Sequence, residues 1–422
     1  MRCRPDFLVL AVLATAVVSI GATSSSQAEE WPTWRGPTGN GVAPEGQKIP
    51  LTWSETENVL WKIPIPGRGH SSPTIVEDRL LLTTADEKAG SQSMLCVDLT
   101  TQKIVWQTEI RSGLPEKIHK KNTHASGSVA CDGERAFAVF MGDDKAIHLA
   151  SVSVKGGDLQ WVVRAGGFES EYPFGYGASP MIWGDTVIAS ADSKKGWIAA
   201  FDKTTGKEVW KTDRHLANSS YSSPILSDVG GREQILLSGG KQVASYDPET
   251  GKQLWLVPSG VATTAGTMVW NETLVFASGG YPTKATWAID PSTKKVVWQE
   301  KAQCYEQSML LVGDQLYGVA ENGMAYCWDA ATGNERWRER LGGGAESASP
   351  TLAGGHIYAT NERGHTFVLR PDPDHFEVLH TNQLGDEIFA SPTIVNNRIY
   401  IRSASYSGND RQETLYCIGF AE

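Results

Sequence analysis

The side chains with the most evident chemistry lie in connecting segments, and their spacing limits what they can do. His119-Lys120-Lys121 with His124 forms a basic stretch. Its two imidazoles are potential metal ligands, but spacing fixes no third ligand. The same stretch reads as a solvated loop sooner than as an anion site. Tyr172, Phe174 and Tyr176 offer flat faces to a sugar or a peptide, or packing over a channel mouth. The signatures G-x-S-x-G, H-E-x-x-H, Walker A and C-x-x-C are missing.

The chain has 422 residues and a formal net charge of −10, which argues against nucleic acid as a partner. Arg2 and Arg4 precede an apolar run, Phe7 to Ile20, and Ser26-Gln27-Ala28 places small residues where a signal peptidase cuts. Residues 1–28 are therefore expected to be a signal peptide. The run is too short for a comfortable membrane span, so no transmembrane segment is expected after cleavage. No cysteine follows the run to carry a lipid. The mature chain is expected to be exported, periplasmic or secreted, and monomeric. Five cysteines then remain, Cys96, Cys131, Cys304, Cys327 and Cys417, an odd number that cannot pair fully. Three of them share one motif position, in MLCVD, AYCWD and LYCIG, as small buried thiols would.

The elements that must position these residues are repeats. An Asp, a short turn, and a Trp eight residues beyond the Asp recur in DLTTQKIVW, DKTTGKEVW, DPETGKQLW, DPSTKKVVW and DAATGNERW. These end at Trp106, Trp210, Trp255, Trp298 and Trp337. Degenerate copies end at Trp161 and Leu379, and ENVLWKIPI supplies Trp61 without its turn. An independent mark, a small polar cluster ending near Pro, opens each unit: HSSP, HASG, GASP, YSSP, ATTA, EQSM, SASP and ASP. Both signals count eight units.

Each unit reads as four short strands. The Asp caps the turn, Gly206, Gly251 and Gly333 supply φ > 0, and the Trp wedges between neighbouring sheets. The expected fold is all-β: an eight-bladed β-propeller of four-stranded antiparallel blades spanning 59–422. Its last blade has only three C-terminal strands, so the strand around Val59 to Ile65 is expected to close the ring. Residues 29–58 are expected to be an ordered irregular arm on the surface.

Strand order puts minimal turns on one face and long connections on the other, namely 85–93, 111–124, 166–177, 277–284 and 402–413. The long-loop face, with the channel mouth, is the expected working face. Arg68, His70, His124, Tyr176, Tyr221, Glu306, Glu346 and Glu387 are expected at that mouth. Asp192, Asn361, Glu362 and Arg402 are expected nearby, at the ends of second strands. Together they make either a solvated polar funnel or a small-molecule or metal site.

The D-x-x-TG-K-x-x-W unit resembles the PQQ-like repeat family, shared by quinoprotein dehydrogenases and by BamB of the outer-membrane barrel-assembly machine. The resemblance covers residues 59–420 and implies the propeller. It implies two kinds of function. One is a non-catalytic scaffold whose partner is an envelope protein or polysaccharide. The other is a PQQ-dependent oxidoreductase with Ca²⁺, in which a Trp and a disulfide of adjacent cysteines sandwich the cofactor and an Asp acts as base. This chain has no adjacent Cys pair, and no segment matches the calcium ligands or that Asp. The scaffold is the expected function, with no catalytic residue assigned. A glycan-binding module using the aromatic loops is a further alternative.

Overall fold

Eight four-stranded antiparallel sheets form in the computed structural model, which describes residues 29–421 apart from 215–217, 260 and 282. The expected signal peptide, 1–28, lies outside the described residues. Seven sheets are consecutive in sequence. Blade 1 is typical, with strands Thr74–Val76, Arg79–Asp86, Ser91–Asp98 and Lys103–Ser112. Blade 8 is composite. Val59–Ile65 pairs as outer strand with Asp410–Ile418, beside Arg398–Ser407 and Thr393–Val395. The ring thus closes through both ends of the repeat region, as expected.

Each repeat motif has a physical job. The Asp carboxylate accepts the backbone N–H three residues on, as in Asp202 with Thr205 (2.7 Å) and Asp247 with Thr250 (3.0 Å). The turn then closes on a residue with φ > 0, such as Gly206 (71°) or Gly251 (70°). Trp106, Trp161, Trp210, Trp298 and Trp337 each donate an indole N–H to a carbonyl at the turn of the following blade. The acceptors are Val154, Lys203, Pro248, Ala330 and Asp372. A Cβ on Gly251 would lie 2.3 Å from the Trp210 ring, so glycine is needed for space as well as for dihedral. Blade 5 has Lys294 at that position, and Trp255 of blade 4 donates within its own blade instead, to Gln234 Oε1 (2.7 Å). Trp61 instead lies against Tyr400 of blade 8, with ring centroids 6.1 Å apart.

The residue opposite each Trp on the third strand is small or slender: Cys96, Ser151, Ala200, Ser245, Ala288, Cys327 and Cys417. That register accounts for three of the five cysteines, all of which are free and buried. Apolar side chains cluster between blades, so every sheet depends on its neighbours for burial. The largest cluster joins blades 7, 8 and 1.

The arm differs from the expected surface segment. Residues 29–58 cross the short-turn face, and Trp31, Arg35, Ala43, Ile49 and Trp53 are buried. Trp31 bridges Ile75 of blade 1, and Val42 bridges Leu352 of blade 7. The Arg35 guanidinium reaches the carbonyls of Met309 (2.8 Å) and Pro350 (2.6 Å). An irregular segment satisfies its polar groups best where the inner strands of several blades present unpaired carbonyls. A composition rich in Gly, Pro and Thr hides this role.

Candidate functional site

The polar clusters that open each repeat build the wall of the central channel. Ser72 N–H donates to Ser128 Oγ, Ser128 to Ser179, and Ser179 to Ser223. Thr267 donates to Ser308, Ser308 to Ser349, Ser349 to Ser391, and Ser391 back to Ser72. Distances are 2.8–2.9 Å throughout. Seven backbone–hydroxyl bonds therefore stitch the blades around the axis.

In an extended chain, residues two apart share a face. The positions two before the ring hydroxyls form a second layer: His70, Ser126, Gly177, Tyr221, Ala265, Glu306, Ser347 and Phe389. All eight line one cavity of about 440 Å³, floored by Trp34 of the arm. His70 stacks on Phe389 with centroids 4.2 Å apart. Phe174, Tyr281 and Tyr305 add aromatic surface towards the long-loop face.

The connection 113–129 leaves blade 1, yet its Lys121 reaches the far side of the mouth. Lys121 Nζ lies 2.7 Å from Glu362, 3.7 Å from Glu321 and 4.0 Å from Glu306. Ser347 Oγ ties Glu306 (2.5 Å) to Glu362 (2.6 Å). Burial opposes the Lys121 charge, but these carboxylates outweigh it and raise its pKa. Burial raises that of Glu306, with Lys121 and Ser347 opposing. The strap is held further by Asn122 Nδ2 donating to the Phe174 carbonyl (2.7 Å) and by His119 edge-on to Phe174. Lys121 is therefore occupied, which removes it from any anion site. Among the described residues, no group of three His, Cys, Asp or Glu is placed to hold a metal.

Of the twelve residues expected at the mouth, His70, Tyr221 and Glu306 line the cavity, and Glu362 adjoins it through Lys121. The other eight do not line it. Tyr176 and Glu346 stand one residue out of phase with the inward layer, and both are buried. Tyr176 donates to the Ser190 carbonyl (2.7 Å). Asn361 bridges Glu346, and Asp192 is buried in a two-pronged pair with Arg214 (2.7 and 3.0 Å). Arg402 is buried against Glu413, donating to Ser71 Oγ and the Thr83 carbonyl across the ring closure. Its expected loop, 402–413, is the extended hairpin of Arg398–Ser407 and Asp410–Ile418. Glu387 accepts from Tyr406 and Arg411, Arg68 lies by Glu87, and His124 is half-buried beside Gln92 and Tyr176. Burial, then Arg68, Arg402 and Arg411, drives the His70 pKa well below its usual value. Trp34, Lys121, Tyr281, Tyr305 and Phe389 also line the cavity, and no sequence signal marks them there, because their convergence depends on how the arm and the strap cross the axis.

Comparison with known proteins places this architecture. The family model described as outer membrane protein assembly factor BamB, a PQQ-type repeat model, matches residues 50–164, 92–339 and 310–372, most of the chain. The chain belongs to this family. An outer membrane protein assembly factor BamB of Shewanella oneidensis is 20% identical over 322 residues, covering 71% of this chain and 75% of that protein. The solved BamB of Moraxella catarrhalis superposes with TM-score 0.61 at 18% identity, covering 85% of this chain and 99% of that one. Quinohemoprotein alcohol dehydrogenase from Comamonas testosteroni gives TM-score 0.68 at 12% identity, over 95% of this chain and 82% of that one. At such identities, the two superpositions show a shared fold alone.

Proposed function

We propose that this BamB-family chain is an exported, non-catalytic binding scaffold of the cell envelope that engages a protein partner through its long-loop face. The observation that carries the reading is the strap. Lys121, held by three glutamates, fastens the 113–129 connection across part of the channel mouth and so adds it to the loop-face surface. The name of the family points to outer-membrane protein assembly as the setting. No helix among the described residues is long and apolar enough to cross a membrane.

The residues present do not fit PQQ with Ca²⁺. PQQ is a polycarboxylate, and the lysine that lines the cavity, Lys121, is already paired with glutamates. The buried cysteines stand singly, and burial drives the thiols of Cys96, Cys131, Cys304 and Cys417 up to about 12. No flat disulfide platform arises from them.

Site-specific photo-crosslinking in cells tests the reading. Tyr281 and Tyr406, 47% and 49% exposed on the loop face, should each capture a component of outer-membrane protein assembly. Asp185 and Glu272, exposed at turns on the opposite face, should not. Capture from the turn positions alone would reverse the assigned face. Capture from neither face would remove the scaffold.

A further inference from the structure

We propose that the axial cavity is a carbohydrate site that receives the end of a neutral glycan, with the ring serines and rim aromatics as its recognising groups. This inference stands apart from the scaffold reading, since it concerns the interior of the channel rather than the loop surface.

The hydroxyls carry the argument. Ser72, Ser179, Ser223, Ser349 and Ser391 all line the cavity, and each Oγ already accepts a backbone N–H from the adjoining blade. Each keeps its proton and one lone pair free. None of the five donates that proton to another group among the described residues. Five donors therefore converge on one small space, and a fully apolar ligand would leave them unpaired.

Charge then selects among polar ligands. An anion would meet Glu306 and Glu321, with the only lysine of the lining spent on its glutamates. A cation would have to displace Lys121 from those carboxylates. A neutral polyol needs neither concession. Its oxygens accept from the serines, and its C–H faces cover Phe389, Tyr221 and Tyr305. Trp34 closes the far end, so entry is end-on and the ligand is a chain terminus or a free sugar.

The test uses the full chain and saturation-transfer NMR with maltotetraose, cellotetraose and chitotetraose, alongside choline and citrate. At least one tetrasaccharide should bind, with transfer strongest at its terminal ring. Ala265→Trp fills the cavity from the inward layer's small apolar position and should weaken binding by about tenfold or more. Tyr281→Ala, at an exposed rim position that the fold does not need, should weaken it several-fold. Should the tryptophan variant fail to fold, the tyrosine variant decides. Binding that neither variant alters would place the sugar elsewhere and overturn the proposal. Binding of choline or citrate with no tetrasaccharide would also overturn it, as would no binding at all.

Discussion

Two buried carboxyls, Asp192 and Glu346, sit on isolated bridges opposite Ser220 and Asn361, yet their surroundings oppose each other. Arg214 supplies Asp192 with a fully buried counter-charge, extended to the Tyr246 hydroxyl (2.5 Å). Among the described residues, Glu346 has no cation, neither of its carboxylate oxygens has a hydrogen-bond partner, and Glu362 adds like charge. Burial pushes its pKa up to about 9. An acid whose pKa is raised on folding binds its proton more tightly in the folded state. Its contribution is complete below the unfolded pKa and is lost as pH rises towards 9. Denaturant titrations of Glu346→Gln should match the parent at pH 4 and exceed it by about 1–3 kcal/mol at pH 8. Equal stability at both values would mean the carboxyl is ionised and solvated. Gly251→Ala probes the opposite kind of constraint. It places a Cβ against Trp210 at φ 70° and should cost about 2–4 kcal/mol by the same assay.

At the scale of elements, legibility followed strand periodicity. The turn Asp, the glycine, the Trp and the opening Ser-Pro clusters are local and repeated, so eight blades and their closure could be read directly from the chain. His70, Tyr221 and Glu306 were also within reach, because each lies two residues before a ring hydroxyl. Tyr176 and Glu346 fail by a single residue of phase, which in a strand reverses the direction of a side chain. Asp192 and Arg402 fail because their partners, Arg214 and Glu413, come from other strands of the same blade. The arm and the strap have no repeat to betray them. Trp34 and Lys121 acquire their positions from long crossings that only the assembled ring defines. The strap makes its own prediction. Lys121→Ala should raise amide exchange across residues 113–122 while leaving the blade strands protected, because that part of the connection lies outside the apolar cluster that holds Ala125 and Val129. Unchanged exchange would show that Lys121 does not hold it.

The whole molecule is a ring with two different faces. The short turns are covered by an arm that threads from blade 1 across to blades 6, 7 and 8, and the long loops enclose a cavity bridged by charge. Membership of the BamB family and the gathering of the long connections on one face support the proposed scaffold, which binds through that face. Deletion of the gene in its native host, with quantification of the outer-membrane proteome, tests that claim most directly. The account predicts a fall in outer-membrane proteins that the intact chain restores. Unchanged outer-membrane proteins, together with purified chain that retains PQQ and Ca²⁺ and turns over an alcohol or sugar with a dye acceptor, would contradict it.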